Sequence, residues 1–104
     1  MPVIDKQNRI TIPLELWNMV EGNYPTRSLA FCIEDGSILL LDANSPEIYY
    51  KKVMLLNIAI DEKRRFSINP DITRYFRLES FVVMYAQNGL LYLEAPPNHS
   101  TKKD

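Results

Sequence analysis

The chain has one histidine and one cysteine among its 104 residues, and this scarcity limits the chemistry it can carry out. His99 lies in a polar segment near the end, so a histidine-based catalytic triad or a His/Cys metal cluster has no residues from which to form. Cys32 has no partner for an intrachain disulfide and stands in the apolar run 29–33, which predicts a buried, inert thiol. We therefore expect neither an enzyme nor a bound metal.

Glycine-rich loops and long apolar runs are also missing. The three glycines, Gly22, Gly36 and Gly89, are read as a helix end and two turns, so no phosphate-binding loop and no cofactor is predicted. No apolar run reaches the roughly 20 residues that a membrane-spanning helix needs. The first residues lack the basic segment and apolar stretch of a secretory signal. These absences predict a cytoplasmic protein that does not bind a membrane.

One motif is present twice, at residues 4–13 and 60–70. At a constant offset of 56 residues the identical pairs are Ile4 and Ile60, Asp5 and Asp61, Arg9 and Arg65, and Ile12 and Ile68. Each copy continues into a helical pattern that begins with proline, and then into a hairpin. The hairpin turns are Asp35-Gly36 and Asn88-Gly89, dipeptides that accept a positive φ. The chain therefore reads as an internal repeat.

The repeat predicts the domain organisation and the fold class. We expect repeats at about 1–42 and 53–95, a short connector at 43–52 and a flexible tail at 98–104. A unit of about 50 residues is near the size at which a lone core becomes marginal, so the repeats should share one core within a single domain, 1–97. Each repeat is a strand, a polar loop, a strand, a helix and a hairpin. The fold class is α+β, mainly β with short helices.

Hydrophobic patterns and turn residues give the bounds of the elements. The predicted strands are 2–5, 9–12, 28–34, 37–42, 53–60, 81–87 and 90–95, and the predicted helices are 13–20, 46–52 and 70–76. Strand 53–60 is apolar apart from Asn57, which favours a central position. Gly22 is expected to end the first helix, and Asn69 to cap the second. The apolar helix faces predicted to be in the core are Leu14, Leu16, Trp17, Met19 and Val20 in the first helix and Ile72, Tyr75 and Phe76 in the second.

The D-x-x-x-R element at the start of each repeat has two interpretations. In the structural one, Asp5 and Asp61 fix tight loops by accepting backbone N–H groups, and the arginines pair with a carboxylate. In the functional one, Arg9 and Arg65 extend from a rigid loop to phosphates or base edges. The two are compatible, since an aspartate that fixes the loop also orients the arginine. The spacing favours ionised, paired carboxylates over carboxylates with a raised pKa.

Charge is unevenly distributed. The whole chain has a formal charge of −1 and an isoelectric point near 5.8, whereas DNA-binding domains are usually basic. Residues 61–78 nevertheless hold five basic and three acidic side chains, while residues 1–42 hold three basic and six acidic ones. The run Lys63-Arg64-Arg65 in the second motif is either a solvated loop or a contact for nucleic acid.

The two motifs resemble the signature of the AbrB/SpoVT swapped-hairpin superfamily, in which a D-x-x-G-R loop leads to a strand that ends in Ile-Pro and then to a short helix. Two such units in one chain are similar to the tandem, MraZ-like members. The resemblance implies a pseudo-two-fold swapped-hairpin barrel built from interleaved repeats. It also implies a DNA-binding transcriptional regulator, associated with the nucleoid, that forms a homo-oligomer. Of the predicted DNA-binding residues, the resemblance supplies Arg9 and Arg65 of the two motifs. The concentration of positive charge around the second motif adds Lys63, Arg64 and Arg74, and Lys6 is the basic residue of the first loop.

The chain departs from this signature where glycine precedes the arginine. Asn8 takes that position in the first motif and tolerates a positive φ, but Arg64 takes it in the second and tolerates a positive φ poorly. The second loop is therefore expected either to differ in shape or to use Arg64 as an extra phosphate contact. The alternative function is a protein-interaction module, antitoxin-like or a degenerate barrel, with a protein partner and weak or no DNA binding.

Overall fold

The computed structural model describes residues 2–78 and 80–97, so the predicted tail 98–104 and His99 lie outside the described residues. The protein is mainly β, with two short helices and two sheets. The elements are β1 (Arg9–Thr11), α1 (Leu14–Val20), β2 (Ser28–Glu34), β3 (Ser37–Asp42), β4 (Lys52–Ala59), β5 (Arg65–Ser67), α2 (Pro70–Tyr75), β6 (Val83–Gln87) and β7 (Leu90–Glu94). Short 3-10 helices follow α1 at Glu21–Asn23 and precede β4 at Pro46–Tyr50.

Two hairpins supply four of the five strands of the larger sheet. Its order is β4-β2-β3-β7-β6, and all neighbours are antiparallel. Both hairpins turn where the sequence predicts, at Asp35-Gly36 and Asn88-Gly89, and all four turn residues have a positive φ. Two consecutive positive φ values match the twist of the paired strands, which explains the choice of residues.

The smaller sheet pairs one strand from each repeat. In this two-stranded ribbon of β1 and β5, Ile10 lies opposite Phe66, its equivalent at the repeat offset of 56. The flanking pairs are Arg9 with Ser67 and Thr11 with Arg65, and exchanging the repeats converts one pair into the other. The ribbon therefore pairs the repeats symmetrically about the Ile10–Phe66 position.

The same symmetry holds where the two hairpins meet. In the pairing of β3 with β7, Leu39 lies opposite Tyr92, and the flanking pairs are Ile38 with Leu93 and Leu40 with Leu91. The equivalent residues are here 53 apart, which is the spacing of the two hairpin turns. The second repeat is thus three residues shorter between motif and hairpin, a difference as long as the 3-10 helix Glu21–Asn23.

The main core contains buried residues of both repeats. Its members are Ile10, Ile12, Trp17, Val20, Tyr24, Leu29, Phe31, Ile38 and Leu40 from the first repeat, and Ile60, Phe66, Ile68, Ile72, Leu78, Val82, Met84, Leu91 and Leu93 from the second. Phe31 meets Phe66 edge to face, with ring centroids 5.8 Å apart. Burial of these apolar side chains is the largest favourable contribution to folding, and it requires both repeats.

The predicted central position of strand 53–60 is wrong. β4 lies at the edge of the larger sheet and pairs with β2 alone, and Leu56 is 48% exposed. Two register shifts interrupt its pairing with β2, and Asn57 has a φ of 64°. Such bulges twist an edge strand and break its alternation of inward and outward side chains. The apolar residues of strand 53–60 therefore follow one another because the pairing is irregular, and not because both faces of the strand are buried.

Several predicted helix and strand details are also wrong. Gly22 does not end α1, which stops at Val20 and continues into the 3-10 helix. Leu14, Met19 and Tyr75 are not in the core, since they are 53%, 67% and 73% exposed. With only six or seven residues, each helix has an apolar face too narrow to bury them. The strand predicted at 2–5 is absent, and in that range only Val3 and Ile4 form isolated bridges, with Phe81 and Ile10. The N-cap at Asn69 is confirmed, because its side chain accepts a hydrogen bond from the N–H of Asp71.

A buried tyrosine joins the two hairpins. The Tyr24 hydroxyl donates to the carbonyl oxygen of Leu40 at 2.5 Å and accepts from the N–H of Leu91 at 2.8 Å. Leu40 and Leu91 face each other in the pairing of β3 with β7, so the hydroxyl satisfies a donor and an acceptor at that point of the ladder. Burial raises the pKa of Tyr24 and keeps the hydroxyl protonated.

Tyr24→Phe should destabilise the protein by about 1–3 kcal/mol, because a buried carbonyl and a buried N–H lose their partner. The free energy of unfolding, measured in urea, gives this value directly. Tyr49→Phe is the matched control, since Tyr49 is 86% exposed, and it should leave the urea midpoint unchanged. Equal midpoints for Tyr24→Phe and the wild type would show that the bridge contributes nothing.

Candidate nucleic-acid interface

The first D-x-x-x-R loop is closed by its aspartate. Oδ1 of Asp5 accepts hydrogen bonds from the backbone N–H groups of Gln7 and Arg9, at 2.8 and 2.9 Å. Oδ2 accepts from Nε of Arg9 at 3.0 Å, which is also an ion pair. Asn8 has a φ of 58°, and its N–H donates to the Asp5 carbonyl oxygen at 3.0 Å. The arginine side chain is thereby fixed relative to the loop backbone.

The second loop repeats this geometry. Oδ1 of Asp61 accepts from the N–H groups of Lys63 and Arg65 at 2.8 and 2.9 Å, and Oδ2 accepts from Nε of Arg65 at 2.7 Å. Arg64 has a φ of 64°, close to that of Asn8. The expectation that arginine at this position changes the shape of the loop is therefore wrong. The contacts of the Arg64 side chain across the ribbon compensate for the unfavourable φ.

Hydrogen bonds hold both carboxylates in their charged form. The N–H of Arg9 lowers the pKa of Asp5, and the N–H of Arg65 lowers the pKa of Asp61; the guanidinium groups act in the same direction. The predicted ionised, paired state is confirmed by these shifts and by the two ion pairs. Each loop thus presents an arginine whose orientation is set by a charged partner.

The ribbon brings the two arginines to one face. Ile10 and Phe66 point into the core, so the residues that alternate with them point outward on the opposite face. These outward residues are Arg9 and Thr11 of β1 and Arg65 and Ser67 of β5. Arg9 and Arg65 are diagonal neighbours in the ladder, and residues in this relation have Cα atoms about 7–8 Å apart. We call this surface the arginine face.

The other predicted site residues lie in different surroundings. Lys6 and Lys63 are exposed in the two loops. Arg64 is half-buried, and its Nε donates to the carbonyl oxygen of Ile12 at 2.9 Å. Arg74 is exposed on α2 and pairs with Asp71, and within the described residues no hydrogen bond or ion pair of its side chain reaches either loop. The structure therefore brings Lys6, Arg9, Lys63, Arg64 and Arg65 to the ribbon, and leaves Arg74 on its helix.

Arg27 is a further cation beside the second loop, and it was not among the predicted site residues. Its Nη1 lies 3.5 Å from the Asp61 carbonyl oxygen, and its guanidinium lies over the Trp17 ring at 5.4 Å from the centroid. Only the pairing of β2 with β4 brings it there, so no local pattern could have indicated it. Thr11 and Ser67 were also missed, although their alternation with Ile10 and Phe66 is a usable signal.

A second surface feature lies beside the edge strand β4. A groove of about 240 Å³ is lined by Ala43, Asn44, Ser45, Ile48, Tyr49 and Leu56. Tyr49 and Tyr50 are each 86% exposed, and Val53 of β4 is also exposed. We call this surface the β4 groove. It combines an unpaired strand edge with apolar side chains, which is a combination found at protein–protein contacts.

Three further observations concern the cysteine, metal-ligating side chains and the helices of the described part of the chain. Burial raises the pKa of the Cys32 thiol to about 11, in agreement with an inert cysteine. Residues 2–78 and 80–97 contain no group of three or more His, Cys, Asp or Glu side chains that could hold a metal ion. No helix in these ranges has both the length and the apolar character needed to cross a membrane.

Comparison with known proteins finds no matching family model, no matching curated protein and no matching solved structure.

Replacing Asp5 and Asp61 together with asparagine should weaken the dependence of stability on acid pH. Because folding lowers both pKa values, the stability that these carboxylates confer is complete above about pH 4 and is lost as the pH falls through the lowered values. Urea midpoints measured from pH 5 down to pH 2 should therefore fall less steeply for the double variant than for the wild type. Identical slopes would show that the loop aspartates are not linked to folding.

Proposed function

We propose that the protein is a DNA-binding transcriptional regulator of the AbrB/MraZ type, acting in the cytoplasm at the nucleoid. The observation that carries the proposal is the arginine face, where Arg9 and Arg65 extend from two loops with the same hydrogen bonds. A rigid two-stranded ribbon that presents paired arginines is suited to the major groove of DNA, which admits such a ribbon. The proposed DNA-binding residues are those of the two loops, with Arg27 at the second.

In this proposal one kind of contact supplies affinity for DNA and another supplies selectivity for its sequence. The exposed lysines Lys6 and Lys63 neutralise phosphates, which supplies affinity without sequence preference. Arg9 and Arg65 use Nε for their aspartates, and their terminal nitrogens are the donors that reach base edges. Guanine accepts two such hydrogen bonds from one arginine, so selectivity is expected to come from these two residues.

The same proposal includes the swapped-hairpin barrel and the homo-oligomer. Symmetric pairing of the repeats in the ribbon and between the hairpins supports interleaved repeats. A folded, monomeric protein obtained from residues 1–50 alone would contradict this arrangement. Because one chain presents few cations and has a net charge of −1, useful affinity requires several chains to bind DNA together. The β4 groove is the proposed contact with a second copy, and light scattering that detects only monomer at micromolar concentration would contradict it.

The β4 groove also favours the alternative function, a protein-interaction module. In that case the groove and the free edge of β4 bind a different protein, and the arginine face contributes weak or no DNA binding. The two functions differ in where substitutions act. Changes in the ribbon loops impair DNA binding by the regulator but leave partner binding by the interaction module intact. Changes at Tyr49 or Leu56 disrupt the contact between copies in the regulator and abolish partner binding in the interaction module.

Lys63→Ala should weaken binding to all DNA sequences about equally and should flatten the dependence of log affinity on log salt by about 0.9 for each chain engaged. Fluorescence anisotropy on a duplex from upstream of the protein's own gene, and on a scrambled duplex, across a salt series gives both quantities. Arg65→Ala should instead reduce the preference between the two duplexes, by about 1–3 kcal/mol.

Lys52→Ala is the matched control for this experiment. Lys52 is exposed at the end of β4 remote from the second loop, about 23 Å away along an extended strand. Its removal changes the net charge as Lys63→Ala does but should leave the salt slope unchanged. If the wild type shows no saturable DNA binding at low salt, where attraction to phosphate is strongest, the regulator is rejected in favour of the interaction module.

A further inference from the structure

The two ribbon loops share their hydrogen bonds but differ in the residue before the motif arginine. Asn8 and Arg64 both have a left-handed backbone, with φ values of 58° and 64°. Asparagine adopts this conformation readily, whereas arginine, with its long side chain, adopts it rarely. A residue persists in such a conformation when its surroundings fix it. The contacts of Arg64 therefore indicate what holds the second loop in place.

Arg64 binds both polar backbone groups of Ile12, just beyond the end of β1. Its Nε donates to the Ile12 carbonyl oxygen at 2.9 Å, and its own carbonyl oxygen accepts from the Ile12 N–H at 2.8 Å. On the other side of the ribbon the Asn8 carbonyl oxygen accepts from Ile68 N–H at 2.8 Å, which is the symmetric backbone bond. The short side chain of asparagine cannot add the second bond that Arg64 makes. The hydrogen bond from Nε is thus specific to the second loop.

The first repeat also contacts the second loop through Arg27. Nη1 of Arg27 lies 3.5 Å from the Asp61 carbonyl oxygen, a contact that involves the side chain. The Arg27 carbonyl oxygen accepts from the N–H of Ile60 at 2.8 Å, and this backbone bond has its counterpart at the first loop, where the Ser80 carbonyl oxygen accepts from the N–H of Ile4 at 2.7 Å. The second loop is therefore held on one side by Arg64 at β1 and on the other by Arg27 at the start of β2. Opening this loop requires breaking contacts with two segments of the first repeat, one just after β1 and one just before β2.

We propose that Arg64 is a positioning residue that fastens the second loop to the first repeat, so that the chain recognises a DNA site with one stringent half and one tolerant half. This inference rests on the proposed DNA binding. A loop that is held in place loses little conformational entropy when it binds DNA, but it cannot adjust to a wrong base. Polar groups buried in the interface with a wrong base are then left without hydrogen-bond partners. The first loop has the same internal hydrogen bonds but lacks this side-chain bond to the other repeat, so it can adjust further and accepts more sequences.

Two variants separate the position of Arg64 from its charge. Arg64→Asn gives the second loop the residue of the first and suits the backbone conformation, so the variant is expected to fold. Arg64→Lys keeps the charge but has no donor at the position of Nε. In the protein without DNA, hydrogen exchange of the amides in 63–65 should be faster by roughly tenfold in both variants, the effect of one lost hydrogen bond. Exchange in 7–9 should not change.

Asn8→Gly is the control for backbone flexibility. It relaxes the first loop without touching Ile12, so exchange in 63–65 should equal that of the wild type. If Arg64→Asn and Arg64→Lys leave exchange in 63–65 unchanged, Arg64 does not fasten the loop and the inference is overturned, whatever the protein does with DNA.

The DNA experiment uses the duplex that wild-type protein selects from a pool with a randomised centre. Each base pair in both halves of that duplex is changed in turn, and the affinity is measured for the wild type and for Arg65→Ala. The half in which base changes no longer reduce the affinity of Arg65→Ala is the half that the second loop contacts. For the wild type, changes in that half should reduce affinity by about 10- to 100-fold, and changes in the other half by only a few-fold. Arg64→Asn and Arg64→Lys should both make the halves equivalent.

The outcomes distinguish this inference from the function on which it rests. Selection of no sequence by the wild type rejects DNA recognition, and the inference with it. A wild type that binds its duplex with equivalent halves overturns the inference alone. The inference is also overturned if base changes in the two halves still reduce affinity unequally in Arg64→Lys. In that case the charge of residue 64, and not its hydrogen bond to Ile12, accounts for the difference between the halves.

Discussion

The antiparallel pairing of β1 with β5 is the interaction on which the rest of the structure depends. It places Ile10 of the first repeat opposite Phe66 of the second and directs both into the shared core. The same alternation turns Arg9 and Arg65 outward on the other face. Stability and the candidate site therefore have one origin, since a shift of one residue in this register would bury the arginines and expose the core.

Local signals in the sequence were sufficient for the repeat, the hairpins and the capped helix. Asp35-Gly36 and Asn88-Gly89 predict the turns because a positive φ is a property of those residues themselves, and Asn69 predicts a cap for the same kind of reason. The structural interpretation of the D-x-x-x-R element predicted that the aspartates accept backbone N–H groups, because a carboxylate can reach the N–H groups of residues a few positions ahead within one tight turn.

Features set by contacts between distant segments could not be predicted. An apolar run does not reveal whether a strand is central or at an edge, and β4 is at the edge because the hairpins pair with each other through β3 and β7. Arg64 was expected either to change the shape of its loop or to serve as an extra phosphate contact, and nothing local indicated its hydrogen bond to Ile12, 52 residues away. Net charge was equally uninformative about the site, since a chain with a charge of −1 still gathers its arginines on one ribbon.

The central claim is that the arginine face, and not the β4 groove, is the principal binding surface. The most direct test is a map of amide chemical-shift changes in isotope-labelled protein titrated with a duplex at low salt. Binding at the arginine face should produce changes concentrated in residues 5–11 and 61–67, with little effect around Tyr49 and Leu56. Changes confined to the β4 groove, or no changes at saturating duplex, would contradict it.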